Sequence, residues 1–250
     1  MSDALLRDLE RRCRSSASIE DQTAWVAARL RAGEELDWES YLQLTALNEL
    51  VAAGYLLARL ACGTVTQDQL ALGSYCSHAP ANIALGAAGQ PDAASDSTNG
   101  SMVSWAEGLA AWGSRVCVRA GLSAASAALA SLGSPPEGAE RVLSEVRAWL
   151  DSRIPDPPSD LVPGDLLASV IFRPPGTEDP EALAIRACVH VALSTTAITS
   201  TERLGVDAPQ HVRALEAAAM VLGDHVRSVV IETLVKHALG FDRPSSSPQQ

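Results

Sequence analysis

Ala28-Arg-Leu-Arg-Ala-Gly33 returns thirty residues later as Ala58-Arg-Leu-Ala-Cys-Gly63, and this echo decides how the chain is read. Each copy is a run of good helix formers that closes on glycine, the residue that most readily ends a helix. A short turn follows, with Leu36 in the first copy and Val65 in the second. Then comes a helical segment containing Tyr41 or Leu70. A helix pair of this length cannot bury its apolar face alone, and stacking on a neighbouring pair solves the problem. The expected architecture is therefore all-α, a helical-repeat array of stacked α-hairpins, either HEAT-like or an irregular bundle.

A longer echo extends this reading into the second half. Val116-Cys-Val-Arg-Ala-Gly-Leu-Ser123 aligns with Ala187-Cys-Val-His-Val-Ala-Leu-Ser194, and Arg141-Val-Leu143 with Arg213-Ala-Leu215. Composition points the same way. Of 250 residues 42 are alanine and only 4% are aromatic, which favours closely approaching helices over strands. Apolar residues at 47% with 20% charged describe a globular chain, and its length suits one or two domains. Stacked hairpins are expected over 1–90, a linker over 91–100 and a helical bundle over 101–240. A Pro-rich connection at 151–180 interrupts the bundle, and 241–250 reads as a disordered tail.

Local punctuation fixes several helix ends. Thr66-Gln-Asp-Gln69 and Ser134-Pro-Pro-Glu137 fit the capping-box pattern, and Asp179-Pro180 reads as an N-cap followed by proline in the first turn. Gly33, Gly63 and Gly240 mark C-termini, and Gly223 falls where one long helix would divide in two. Val212, Leu215, Ala219, Leu222, Val226 and Val229 form one apolar stripe, which offers a route to pairing between chains. Ala184, Cys188, Val191, Thr195 and Ile198 form another.

Charge and cysteine usage exclude several classes. A net charge of −11 with a single lysine, Lys236, argues against nucleic-acid binding and suits a protein partner, more so a basic one. Five cysteines without CxxC spacing read as reduced thiols. The chain shows no signal-peptide core and no span of about 20 apolar residues, so a cytoplasmic protein without a membrane segment is expected.

Motifs that carry chemistry are sparse. The histidines His78, His190, His211, His225 and His237 lack metal-ligand spacing, so no metal is expected. No phosphate-binding glycine loop is present, and no cofactor is expected. Gly121-Leu-Ser-Ala-Ala125 lacks the final glycine of a nucleophile elbow, and Thr233-Leu-Val-Lys236 reads as helix surface. Cys76 and His78 are two apart and diverge on a helix, so His78 reads instead as a cap on the carbonyls of the helix before it. Trp105 and Trp112, seven apart, read as a core stripe. Trp38, flanked by Asp37 and Glu39, is the tryptophan expected to be partly exposed. With Glu39 it is the first candidate for a partner contact.

Arg29-Leu-Arg-Ala-Gly-Glu-Glu-Leu36 together with Leu70-Ala-Leu-Gly-Ser-Tyr-Cys-Ser-His78 resembles an uncharacterised helical-repeat family of GC-rich bacteria. In that pattern a Tyr-x-Gly-His turn ends the helix; here Ser77 stands at the glycine. Trp105-Ala-Glu-Gly-Leu-Ala-Ala-Trp-Gly113 with Arg119-Ala120, and Arg141 to Trp149, are similar to it as well. Members of this kind are similar to the immunity proteins of polymorphic toxin systems. The resemblance implies a helical protein that binds and blocks another, and it brings no catalytic residues. The expectation is a non-enzymatic protein-binding module, an inhibitor or adaptor that occludes a partner surface. The alternative is a helical enzyme or small-ligand sensor with a site formed between helices.

Overall fold

Alanine-rich segments punctuated by caps and glycines fold here as helices throughout. The computed structural model describes residues 3–16, 18–32, 34–89, 101–152, 161–171, 179–195 and 209–242. Among these there are thirteen α-helices and one 3-10 segment, and no strand, so the fold is all-α. In chain order they are α1 (Asp3–Ser15), α2 (Ile19–Arg31), α3 (Trp38–Leu47), α4 (Glu49–Ala61), α5 (Gln67–Tyr75), α6 (Ala79–Ala87) and α7 (Met102–Gly108). After the 3-10 segment (Leu109–Trp112) come α8 (Ser114–Ala130), α9 (Glu137–Asp151), α10 (Gly164–Ile171), α11 (Pro180–Thr195), α12 (Gln210–Leu222) and α13 (His225–Ala238). Gly33, Ile198, the expected linker 91–100, much of the Pro-rich connection and the tail from 243 lie outside the described residues.

The helix starts follow from short-range chemistry. Thr66 accepts from Gln69 N–H while Gln69 reaches back to Thr66 N–H, a complete capping box. Asp179 Oδ1 accepts from Ala182 N–H at 2.8 Å, capping α11 as expected. The helix expected to open at Ser134 begins instead at Glu137. Pro136 occupies the N-cap position of α9, and its side chain has no acceptor to offer. The helix stops are equally local: Gly63, Gly223 and Gly240 adopt φ of +72°, +59° and +74°, and Gly223 divides α12 from α13.

The thirty-residue echo ends its helices alike. Glu34 N–H bonds Arg29 O at 3.1 Å, and Thr64 N–H bonds Arg59 O at 2.9 Å. Trp25 lies under the Arg29 guanidinium at 4.9 Å and Tyr55 under that of Arg59 at 5.7 Å, each ring four residues before its arginine. The turn after α5 is tighter. Ser77 N–H bonds Ser74 O and His78 N–H bonds Gly73 O, which places Ser77 at φ +61°. This left-handed conformation is the one that suits glycine.

Helical contacts gather into two units, Met1–Thr98 with Val235–Gln250, and Asn99–Leu234. The expected division kept 101–240 together; instead the end of α13 belongs to the first unit. There Leu239 is fully buried and Phe241 stacks on aromatic rings, so the tail expected from 241 begins with a packed ring. In the first unit α2 packs on α4 and α4 on α6. Gly54 makes the α2–α4 approach possible: a Cβ there would lie 3.1 Å from Thr23 N and 3.2 Å from the Gln22 carbonyl carbon.

In the second unit α8, α11 and α12 pack against one another, with α9 against α8 and α11. Gly121 of α8 faces both neighbours, its missing Cβ 3.1 Å from Val191 Cγ2 and 3.5 Å from Ala214 Cβ. The echoed Cys117 and Cys188, Val118 and Val189, and Leu143 and Leu215 are all buried. Arg115 Nη2 donates to the carbonyls of Trp149, Leu150 and Ser152 at 3.0, 2.8 and 2.7 Å, satisfying the end of α9. Two sequence expectations change here. Trp105 is buried, but the chain tightens to 3-10 geometry from Leu109, so Trp112 does not continue its helix face. In the 212–229 stripe Val212, Leu215 and Val226 are buried within their own chain while Ala219, Leu222 and Val229 stay partly exposed, so less of it is left for pairing than expected. No helix among the described residues is long and apolar enough to cross a membrane.

Candidate functional site

A pocket of about 190 Å³ opens in the first unit among α2, α3, α4 and the segment joining α2 to α3. Its apolar walls come from Trp25, Val26, Leu36, Leu44 and Leu47, with Ser40 and Gln43 as polar neighbours. The α3 residues at 40, 43, 44 and 47 recur at helical spacing, so they form one continuous wall. Arg29, Glu34 and Tyr55 complete the lining, and each has a local partner. Arg29 Nε donates to Glu34 Oε2 at 2.6 Å, and Tyr55 Oη accepts from Leu36 N–H at 3.3 Å. Burial holds the Tyr55 hydroxyl above its usual pKa. Leu47 is 84% exposed although it forms a wall of the pocket. Glu34, Glu35, Asp37 and Glu39 are all exposed along the same joining segment and the start of α3.

Behind this surface lies an aromatic cluster that uses the other face of α3. Phe241 sits 5.3 Å from the Trp38 ring, 4.9 Å from Tyr41 and 6.5 Å from Tyr55. Arg59 stands 5.0 Å above Phe241 and donates from Nη1 to Leu239 O at 2.6 Å, so one guanidinium fixes the chain after α13 twice. Tyr55 therefore bears on the pocket and on the cluster. Tyr41 is fully buried, and its Oη shares a 2.7 Å hydrogen bond with His78 Nε2. Desolvation raises the Tyr41 pKa and lowers that of His78 to about 4, so both groups are neutral near pH 7.

The structure places the sequence candidates as follows. Trp38 is not partly exposed as expected: at 9% it is buried, stacked on Tyr41 at 5.8 Å, and its Nε1 has no hydrogen-bond partner. Its acidic neighbours Asp37 and Glu39 are exposed because they occupy the solvent side of the same helix start. His78 does not cap carbonyls with its ring, which turns to Tyr41 instead. Cys76 is buried, and desolvation pushes its thiol up to about 12, which leaves no thiolate at neutral pH. Ser123 and Thr233, from the two weak nucleophile motifs, do meet: their hydroxyls lie 2.8 Å apart, and Ser123 also donates to Val229 O. The pair pins α8 to α13.

The remaining histidines are dispersed. His190 Nδ1 pairs with Gln210 Oε1 at 2.7 Å, His211 Nε2 donates to Ala106 O at 3.0 Å, and His237 pairs with Asp242. Burial lowers the pKa of both His190 and His211. No cluster of His, Cys, Asp or Glu that could hold a metal ion occurs among the described residues. Sequence reasoning did not single out Trp25, Leu44, Leu47, Tyr55, Arg59 or Phe241. The recurrent aromatic-x-x-x-Arg at Trp25–Arg29 and Tyr55–Arg59 is the signal that marks two of the rings. Comparison with known proteins gives no match among family models, curated proteins or solved structures.

Proposed function

We propose that the chain is a non-enzymatic protein-binding module, an inhibitor or adaptor that acts by covering a surface of its partner. The observation that carries this reading is Leu47: a leucine 84% exposed that walls a preformed apolar pocket beside a run of exposed carboxylates. Isolated exposed leucines are ordinary, whereas an apolar pocket with an open rim is a place for an anchoring side chain. Glu39 is exposed one residue before Ser40 of the pocket lining, and Trp38 is buried at the same helix start. The resemblance to immunity proteins supports the inhibitory form, and the acidic rim favours a basic partner.

The test is paired affinity capture with wild type and Leu47→Ser, followed by calorimetry with the purified recovered protein. The expected result is a stoichiometric complex weakened at least about tenfold by Leu47→Ser, the effect of removing one well-seated apolar contact. A recovered protein that binds both forms equally, or no complex with wild type, overturns the reading.

A second reading, a small-ligand sensor or helical enzyme, is favoured by the three titratable groups Arg29, Glu34 and Tyr55 in the pocket walls. Against it, Arg29 and Glu34 neutralise each other and Tyr55 Oη holds Leu36 N–H. Binding at the loading of a small aromatic compound, with no protein complex formed, would favour this alternative.

A further inference from the structure

We infer that the pocket between α2, α3 and α4 receives one aromatic or branched aliphatic side chain from a protein segment that carries Lys or Arg beside it. This rests on the protein-binding reading above and adds the chemistry of the partner. Size gives the first constraint. A volume of about 190 Å³ exceeds the roughly 150 Å³ of an apolar cavity that holds benzene, and falls short of the roughly 300 Å³ at which drug-sized pockets begin. One ring or one branched side chain fills it; a cofactor does not. The walls give the second constraint: Trp25, Val26, Leu36, Leu44 and Leu47 reward apolar surface, and of the polar lining residues Arg29, Glu34 and Tyr55 are already hydrogen-bonded within the chain.

Charge gives the third. Glu34 lines the pocket, and Glu35, Asp37 and Glu39 are exposed along the adjoining segment and the start of α3, against Arg29, which is held by Glu34, and Arg31. The rim is therefore net acidic, and a segment with cationic residues flanking its anchor meets complementary potential. A second copy of this chain is disfavoured as occupant, since two bodies of net charge −11 repel each other. Arg29 also gives the site a means of adjustment. Its guanidinium lies over Trp25 and ties up Glu34, so an incoming ammonium or guanidinium can take Glu34 while Arg29 stays on the ring.

The experiment uses the full chain and three synthetic probes: acetyl-Lys-Lys-Phe-Lys-Lys-amide, the same peptide with alanine at its centre, and the same with glutamates for lysines. Binding is followed by titration of the tryptophan indole resonances, with that of Trp25 assigned through Trp25→Phe. The phenylalanine peptide is expected to bind at least about tenfold more tightly than the alanine peptide, as burial of one ring requires. It should shift the Trp25 indole, weaken several-fold in high salt, and lose its advantage over the alanine peptide in Leu47→Ser. Because Leu47 is exposed, that variant keeps the fold, and Glu39→Lys tests the rim independently by weakening the lysine peptide and strengthening the glutamate one.

Equal binding of the phenylalanine and alanine peptides overturns the anchoring pocket. Equal binding of the lysine and glutamate peptides overturns the basic flank. Free indole binding as tightly as the phenylalanine peptide overturns the protein segment as occupant. A captured partner that depends on Leu47 while all three peptides fail sinks this pocket chemistry and leaves the module reading standing. Absence of both sinks both.

Discussion

Tyr41→Phe removes a single oxygen from the centre of the first unit, and its cost follows from what that oxygen leaves behind. Tyr41 is fully buried, and its ring contacts Trp38, Tyr55, His78 and Phe241. Phenylalanine keeps these contacts at nearly the same volume, so no cavity penalty enters. The lost group is the hydroxyl that shares a 2.7 Å hydrogen bond with His78 Nε2. Without it the imidazole nitrogen stays in a desolvated setting with no partner, which costs about 1–3 kcal/mol. The assay is urea unfolding at pH 7, paired with peptide-resolved hydrogen exchange. The unfolding midpoint should fall, and amides of α3, α5 and the start of α6 should exchange roughly 5–150 times faster. Retained wild-type midpoint and protection in a folded Tyr41→Phe protein would refute the claim that this bond holds the cluster together.

Three further outcomes are expected. Because the His78 pKa is about 4 in the folded chain and 6.5 when unfolded, the unfolded state alone takes up that proton between these values. Stability contributed by the neutral ring is complete above pH 6.5 and declines by about 1.4 kcal/mol per pH unit down to pH 4, a slope that His78→Gln should lessen in unfolding experiments. Ser77→Gly should stabilise by about 0.5–1 kcal/mol, measured as a raised unfolding midpoint, because glycine relieves the left-handed strain at φ +61°. A thiol reagent at pH 8 should modify exposed Cys62 first and half-buried Cys13 more slowly. Cys76, Cys117 and Cys188, pushed by burial to about 12, 11 and 12, should react only after denaturant is added, as counted by mass spectrometry.

Helix ends were legible wherever their chemistry is carried by three or four consecutive residues. Thr66 and Gln69 satisfy each other, Asp179 serves a donor three residues on, and Gly63, Gly223 and Gly240 supply the positive φ their turns require. Ser134 failed the same test because proline intervened at the position the cap needs. Burial across the fold was less legible. The acidic residues beside Trp38 describe the solvent side of its helix and carry no information about Phe241, which covers the ring from about 200 positions away. The pocket was hidden for a related reason. Its walls are drawn from four separate stretches, so no single run of sequence marks it.

Because residues 235–242 complete a unit that begins with α1, the order of synthesis sets a condition on when that unit can close. A ribosome making the chain delivers Trp38, Tyr41, Tyr55 and Arg59 early, then the whole of Asn99–Leu234, and only afterwards Leu239 and Phe241. At roughly 5–20 residues per second the interval is on the order of 10–40 s, long compared with helix formation and hydrophobic collapse. Throughout it the nascent first unit presents a greasy aromatic cleft to the cell's chaperones. A chain cut short before Leu239 would keep that cleft uncovered, so Phe241 closes the first unit as well as packing within it.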